Sequence, residues 1–195
     1  MSMETKTAQQ GFALLITLIA LGAVLSVATT ILDLSIKQVR LSINAKESEI
    51  AFHAANAGAE CARYIRRESA TEMLNGSGIS PSCFNTSAIT NDHSAVTDDV
   101  SGAGDVYQYD YSLTWGTDPR CTQVNTLLAS ADLGGGGVTV GNMMTKIPGY
   151  TKDDFVCDAG SQCTVISVRG YNRSCSAVTS GNNFGILQRE VLLEF

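Results

Sequence analysis

Hydrophobic positions follow two periods along this chain. From Phe12 to Leu32 a stretch of 21 residues carries no charged side chain, and Asp33 ends it. At about 1.5 Å of rise per residue it makes roughly 30 Å of helix, the thickness of a bilayer's hydrocarbon layer. Leu14, Leu15, Ile16, Leu18, Ile19, Leu21, Val24 and Leu25 supply the surface that would meet lipid or other helices. From Leu34 to Arg67 the positions Ile36, Val39, Ile43, Ile50, Ala54, Ala57, Cys61 and Ile65 recur at three- and four-residue steps with one gap, a helical period, with Lys37, Arg40, Lys46, Glu47 and Glu49 between them. No proline occurs before Pro81. One helix over 12–68 is therefore predicted, a membrane-spanning or filament-core segment 12–33 followed by an amphipathic continuation 34–68. The apolar stripe of the second half needs cover, from the protein's own sheet or from neighbouring helices. Ala51, Ala54, Ala55, Ala57, Gly58 and Ala59 would permit close approach of that cover; alternatively the alanines only favour helix, which Gly58 opposes.

Past Ser69 the pattern predicts loops rich in Ser, Gly, Asn and Thr up to about Gly104. Period two then appears: Tyr107, Tyr109, Tyr111, Leu113 and Trp115 alternate with Gln108, Asp110, Ser112 and Thr114. The aromatic side is expected to be the buried face of a strand packed on the long helix; a sugar-binding ladder is the alternative. Thr164–Tyr171 and Ile186–Phe195 read as further strands, the last with Leu187, Val191, Leu193 and Phe195 on one side and Gln188, Glu190 and Glu194 on the other. The run Gly134–Gly137 is too flexible for an element interior and reads as a loop, and no lysine-serine or lysine-threonine pair follows it as a phosphate cradle would need. The fold class expected is α+β: a long N-terminal helix on a mostly antiparallel β-rich head over 69–195.

Charge is distributed unevenly. The head, 69–195, holds 13 acidic and six basic residues, whereas the helix 12–68 holds five and six. An acidic head keeps an exported domain soluble and lacks the basic stripe that nucleic acid demands, so no direct nucleic-acid site is expected. Arg63, Arg66 and Arg67 suit the negative pole of a helix end, with a contact to another subunit as the alternative. Lys37 and Arg40 lie where lipid headgroups or a neighbour's carboxylates could meet them.

Six cysteines, Cys61, Cys83, Cys121, Cys157, Cys163 and Cys175, all follow the apolar run. An even number there suggests three disulfides in an oxidising compartment, which places the head outside the cytoplasmic membrane. Many pairings are possible. The preferred set is Cys157–Cys163 as a small loop, Cys61–Cys83 tying the helix end to the head, and Cys121–Cys175, with buried free thiols as the alternative. No CxxC occurs and His53 and His93 are far apart, so neither a metal site nor a cofactor is expected. Asp153, Asp154 and Asp158, or Asp92, Asp98 and Asp99, could offer oxygen ligands to Ca²⁺, but neither spacing is that of an EF-hand and solvated loop acids are favoured. No GxSxG or HExxH pattern is present and no enzyme is expected.

The apolar run is too long for the core of a secretory signal peptide, and its leader, Met1 to Gly11, is polar with Glu4 and Lys6 cancelling. Cleavage ahead of the run, between Gly11 and Phe12, fits these residues better. Gly11-Phe12-Ala13-Leu14-Leu15 resembles the processing site of type IV pilin-like proteins, and Ala51-Phe52-His53-Ala54-Ala55-Asn56-Ala57-Gly58-Ala59-Glu60 is similar to the small-residue stretch of PilX-like minor pilins. The resemblance covers about the first 65 residues. It implies removal of leader 1–11 by a prepilin peptidase, methylation of Phe12, and insertion of the helix among other pilin-like subunits on an assembly platform, in a type IV pilus or related pseudopilus. Many pilins carry glutamate at the fifth mature position; here that residue is Ile16, which removes one recruiting carboxylate and favours a minor or initiating subunit. The other reading is a membrane-anchored extracytoplasmic binding protein or tip adhesin whose head loops bind a ligand.

Overall fold

The structure, a computed structural model, describes residues 4–117, 119–180 and 184–195, with side chains from Phe12 onward. Met1–Met3 of the expected leader lie outside the described residues. Helix α1 spans Glu4–Glu68, 65 residues. The helix expected over 12–68 is present to its expected end, and it extends back from Phe12 to Glu4. Glu4–Gln10 contains good helix formers and no proline, and Gly11 alone costs only about 1 kcal/mol relative to alanine. The chain forms two compact units, 1–46 and 47–195. In the first, α1 is the whole structure. In the second, its remainder from Glu47 lies on antiparallel sheets, an α+β arrangement.

After α1 come α2 (Ala70–Leu74), β1 (Ser82–Cys83), β2 (Thr86–Ser87), β3 (Thr90–Ala95), β4 (Val100–Gly102), β5 (Gly104–Trp115), β6 (Arg120–Ala131), β7 (Val138–Val140), α3 (Met143–Lys146), β8 (Phe155–Cys157), β9 (Gln162–Tyr171), α4 (Cys175–Thr179) and β10 (Gln188–Glu194). The main sheet has the order β10-β9-β6-β5-β3, and a smaller one the order β4-β7-β8. The expectation of loops from Ser69 to Gly104 is corrected: α2, the β1–β2 hairpin, β3 and β4 occupy it. They are short, and every residue of the edge strand β3 is exposed, so no alternation announces it. The central strand β6 has no counterpart in the sequence reading either. Its Leu127, Leu128 and Ala129 are all buried because both faces of the sheet are covered there, which erases the period of two.

The helix-side face carries the aromatic positions of β5. Tyr109, Tyr111 and Leu113 join Val124, Leu128, Ile166 and Val168 in one core with Ala59, Ala62 and Ile65 of α1 and Met73 of α2. The buried-strand reading of the aromatic ladder holds. Tyr109 is fully buried, and its hydroxyl donates toward carbonyls at the end of α2, that of Met73 at 3.2 Å and of Ser77 at 3.0 Å. Burial raises its pKa.

Small residues set how close α1 comes to the sheet. A methyl group at Gly170 of β9 would overlap the backbone of Ala51 and Ala55, and one at Gly58 would overlap Thr122 and meet Val168 Cγ1 at 2.8 Å. The fully buried Thr122 hydroxyl donates to the Ala54 carbonyl at 2.8 Å and accepts from Trp115 Nε1 at 2.7 Å. Farther along, Asn172 donates to Glu47 Oε2 at 2.9 Å, and Arg189 Nε donates to Ser48 Oγ at 2.8 Å.

On the opposite face, Leu127, Ala129 and Val165 meet Val138, Val140, Phe155, Met143 and Ile147 of the small sheet and α3. The disulfides take the preferred pairing. Cys61–Cys83 ties α1 to the hairpin, Cys157–Cys163 ties β8 to β9, and Cys121–Cys175 ties α4 to β6.

Substituting Gly170→Ala is expected to destabilise the head by about 3 kcal/mol, the upper part of the overpacking range, because the obstructing atoms are backbone. Thr122→Val should cost about 1–3 kcal/mol by leaving the indole N–H of Trp115 without its acceptor. Denaturant unfolding of the full chain in detergent, followed by tryptophan fluorescence, measures both, and near-unchanged midpoints would contradict this account of the contact.

Candidate functional site

Two regions have the character of functional surfaces. The first is the apolar half of α1. Leu14, Leu15, Ile16, Leu18, Ile19, Leu21, Val24 and Leu25 are all exposed, from 49% at Ile16 to 67% at Val24, and they lie on every side of the helix. A helix apolar all round calls for lipid or other helices around it. Its few hydroxyls are satisfied within the helix: Thr17 donates to the Leu14 carbonyl at 2.8 Å, Ser26 to Ala23 at 2.8 Å, Thr29 to Ser26 at 2.9 Å and Thr30 to Val27 at 2.7 Å. A hydroxyl so bonded can enter hydrocarbon without an orphaned polar group. Past the run, Lys37 pairs with Asp33 at 2.8 Å. The helix is compatible with a single-pass membrane anchor. The apolar stripe itself is divided: Ile36, Val39 and Ile43 are exposed, while Ala54, Cys61 and Ile65 are buried by the sheet.

The second region is the half of the main sheet's far face that the small sheet leaves uncovered. Pairing across the strands sets two polar rows side by side. One runs Asp92, Asp110, Asn125 and Ser167; the next runs Thr90, Ser112, Gln123, Arg169 and Glu190. Period two accounts for this, since the same strands put Tyr109, Tyr111, Val124 and Val168 on the helix side. Within the rows Asp110 accepts from Gln108 Nε2 at 2.9 Å and from Asn125 Nδ2. Asn125 Oδ1 accepts from Arg169 Nη2 at 3.0 Å, and Ser167 Oγ donates to Glu190 Oε1 at 2.7 Å. Burial raises the Asp110 pKa, offset in part by the two amide donors and by Arg169, and reinforced by the charge of Asp92. Arg169 Nε is buried with no acceptor among the described residues.

The rows line a recess of about 190 Å³ that includes Asp92, Asp110, Asn125 and Arg169. It shares Thr90, Ser112 and Gln123 with an adjoining recess of about 430 Å³ that reaches Ile89, Pro119 and α4. Two further recesses flank α1. Tyr64 and Phe84 border one of about 480 Å³ beside Cys61–Cys83, with Phe84 76% exposed at the hairpin tip and in a left-handed backbone conformation. Arg63, Arg66 and Arg67 line the other, about 420 Å³. Arg63 pairs with Glu60 at 2.9 Å, and Arg66 Nε donates to Thr164 Oγ1 at 3.2 Å. Burial lowers the Arg66 pKa.

The remaining residues singled out in the sequence are scattered. Asp99 accepts from Lys146 Nζ at 2.9 Å, and its bonds to Asn142 and Lys146 hold its pKa below the usual carboxylate value. Among the described residues no three His, Cys, Asp or Glu side chains gather as metal ligands. His93 stacks on Tyr109, ring centroids 5.8 Å apart, and the exposed His53 lies 3.6 Å from Glu49. Gln123, Asn125 and Arg169 carry no motif in the sequence. Their one signal there is the short alternation Thr122-Gln123-Val124-Asn125-Thr126 ahead of the double-buried leucines.

Because the folded-state pKa of Asp110 lies above its unfolded value of about 3.9, its contribution to stability is fully present below pH ~4 and is lost as pH rises through the folded value. The stability of Asp110→Asn relative to the unmodified chain is accordingly expected to rise from pH 4 upward and then level. Urea unfolding of both proteins from pH 4 to 8 reads this difference, and a pH-independent difference would contradict it.

Searched against family models, curated proteins and solved structures, the chain matches none.

Proposed function

We propose that this protein is a minor pilin or pseudopilin. A prepilin peptidase removes residues 1–11 and methylates Phe12, and the apolar half of α1 then leaves the lipid of the cytoplasmic membrane to pack among the helices of other pilin-like subunits in an extracellular type IV pilus or related filament. The observation that carries this reading is the helix itself. One continuous α1 is apolar on all sides over 12–32, with its hydroxyls bonded internally, and is clamped to a disulfide-pinned sheet over its last two dozen residues.

Lipid and a bundle of apolar helices are similar solvents, so transfer between them gains little hydrophobic free energy and depends on packing and an assembly motor. A run without a carboxylate suits that exchange, since no buried charge has to be neutralised at either end of it. The exposed Ile36, Val39 and Ile43 extend the contact surface beyond the lipid-length segment. The acidic head then decorates the fibre or its tip. In the competing reading the helix stays in the membrane and the head acts as an anchored receptor; the polar far face of the sheet is the feature that favours it.

Intact-mass measurement on the chain recovered from the cell envelope of a host that has a prepilin peptidase distinguishes the two. Loss of Met1–Gly11 with one added methyl group on Phe12, and retention of the whole chain in Gly11→Leu, is the expected result. An unprocessed chain that never enters sheared surface fibres would establish the anchored receptor instead.

A further inference from the structure

The far face of the main sheet is built differently from an ordinary solvated face. Its polar rows lie between two structures that stand off the sheet, and a disulfide fastens each of them. On one side Cys157–Cys163 holds the small sheet and the segment that runs through α3 to Tyr150; the Lys146 carbonyl lies 3.5 Å from Gln108 Nε2, and Gly149 abuts the Glu190 carboxylate. On the other side Cys121–Cys175 holds α4, whose Ser176 and Thr179, with the N-cap Ser174, line the recess. The rows are the floor of a trough whose walls are set before anything binds, which lowers the ordering cost of a ligand.

The chemistry of the floor selects a ligand class. Asp92 and Asp110 offer carboxylate oxygens, Arg169 and Gln123 offer N–H groups, and Thr90 and Ser112 offer hydroxyls that already share one bond of 2.6 Å. Gln123 uses its carbonyl to accept from Tyr171 at 3.0 Å, and its amide nitrogen forms no bond among the described residues. Arg169 Nε is without an acceptor. Donors and acceptors therefore alternate over a few ångströms and remain incompletely matched to one another. Two carboxylates against one guanidinium, in a head with an excess of acidic residues, repel a polyanion. The floor of the smaller recess is polar, which does not suit an apolar ligand, while Ile89, Pro119 and Cys175 give the adjoining recess an apolar side. A sugar has this combination: neighbouring hydroxyls that each donate and accept, and C–H faces that rest on apolar atoms. Together the two recesses reach the usual size of small-ligand sites, about 300–1,000 Å³.

We propose that the trough floored by Asp92, Asp110, Gln123, Asn125 and Arg169, and walled by α4 and the α3 segment, binds a neutral oligosaccharide. The site belongs to the head alone and does not depend on whether the chain enters a fibre. The sugar-binding alternative weighed for the aromatic side of β5 thus moves to the polar side of the same strand.

The test uses the full chain in phosphatidylcholine nanodiscs, applied to an array of immobilised neutral hexose and N-acetylhexosamine oligomers beside sialylated, uronate-containing and sulfated ones. Retention by a subset of the neutral glycans is expected. Titration of the best of them should show at least about tenfold weaker binding for Gln123→Ala, which removes the amide N–H of the floor left over for a ligand. Thr90→Trp, at an exposed position of the edge strand, fills the trough at the cost of the Thr90–Ser112 bond and should abolish binding with the far-UV circular dichroism of the head retained, while Leu133→Ser in the exposed β6–β7 loop should leave binding unchanged. The proposal is overturned if no glycan is retained by folded protein, if acidic glycans are preferred, or if Thr90→Trp binds as the unmodified chain does.

Discussion

The structure of the head depends on how closely α1 approaches β6 and β9. Gly58 and the alanines at 51, 54 and 55 bring the helix backbone against Thr122, Val168 and Gly170, to a distance at which one added methyl on either side collides with its neighbour. A contact of this kind has one solution. Rotating the helix would drive Phe52 or Ile50 into the sheet, and sliding it by a turn would replace Gly58 with Ala54 or Ala62 over Thr122. The glycine in mid-helix lowers intrinsic helix stability by about 1 kcal/mol, and the packing it permits offsets that loss. The Thr122 hydroxyl adds direction, because it must reach one particular carbonyl of the helix while holding the indole of Trp115.

Around this contact the remaining elements are short, and the disulfides compensate. Strands of two or three residues and helices of four or five cannot form on their own. In the chain-entropy view the bridges separated by 22 and 54 residues each contribute roughly 3–4 kcal/mol, and the bridge across six residues less. The short bridge Cys157–Cys163 is thus more a matter of position than of stability: it fixes β8 on β9 and with it one wall of the trough. Cys121–Cys175 serves both ends, closing a long loop and seating α4 on the face opposite the helix.

What the sequence disclosed follows from which residues lie between two unlike environments. The amphipathic half of α1 and the strand β5 each have one face toward the core and one toward something polar, so their periods of 3.6 and 2 are legible, as is the end of the helix at Glu68. β6 is central and covered on both faces over Leu127–Ala129, and its alternation disappears where it is most buried. β3 fails for the opposite reason, being exposed throughout. The hydrophobic boundary at Phe12 does not end the helix on its N-terminal side, because the backbone responds to helix propensity and α1 continues back to Glu4. The trough was illegible because its residues come from four strands and acquire meaning only through register: nothing in the sequence brings Asp92 to Asp110 or Gln123 to Arg169.

Register also couples the two faces of the sheet. Thr122 pairs with Gly170 on the helix side, and their immediate neighbours Gln123 and Arg169 pair on the far side. Because successive residues of a strand point in opposite directions, the contact that immobilises Thr122 and Gly170 under α1 immobilises Gln123 and Arg169 in the trough. A slip of one residue in β9 would put Arg169 beneath the helix, where a guanidinium would displace the methyl-free contact with Ala51 and Ala55, and would turn Gly170 outward. The steric exclusion on one face therefore maintains the arrangement of polar groups on the other. A rigid helix contact and a preformed polar floor are two consequences of the same pair of strands.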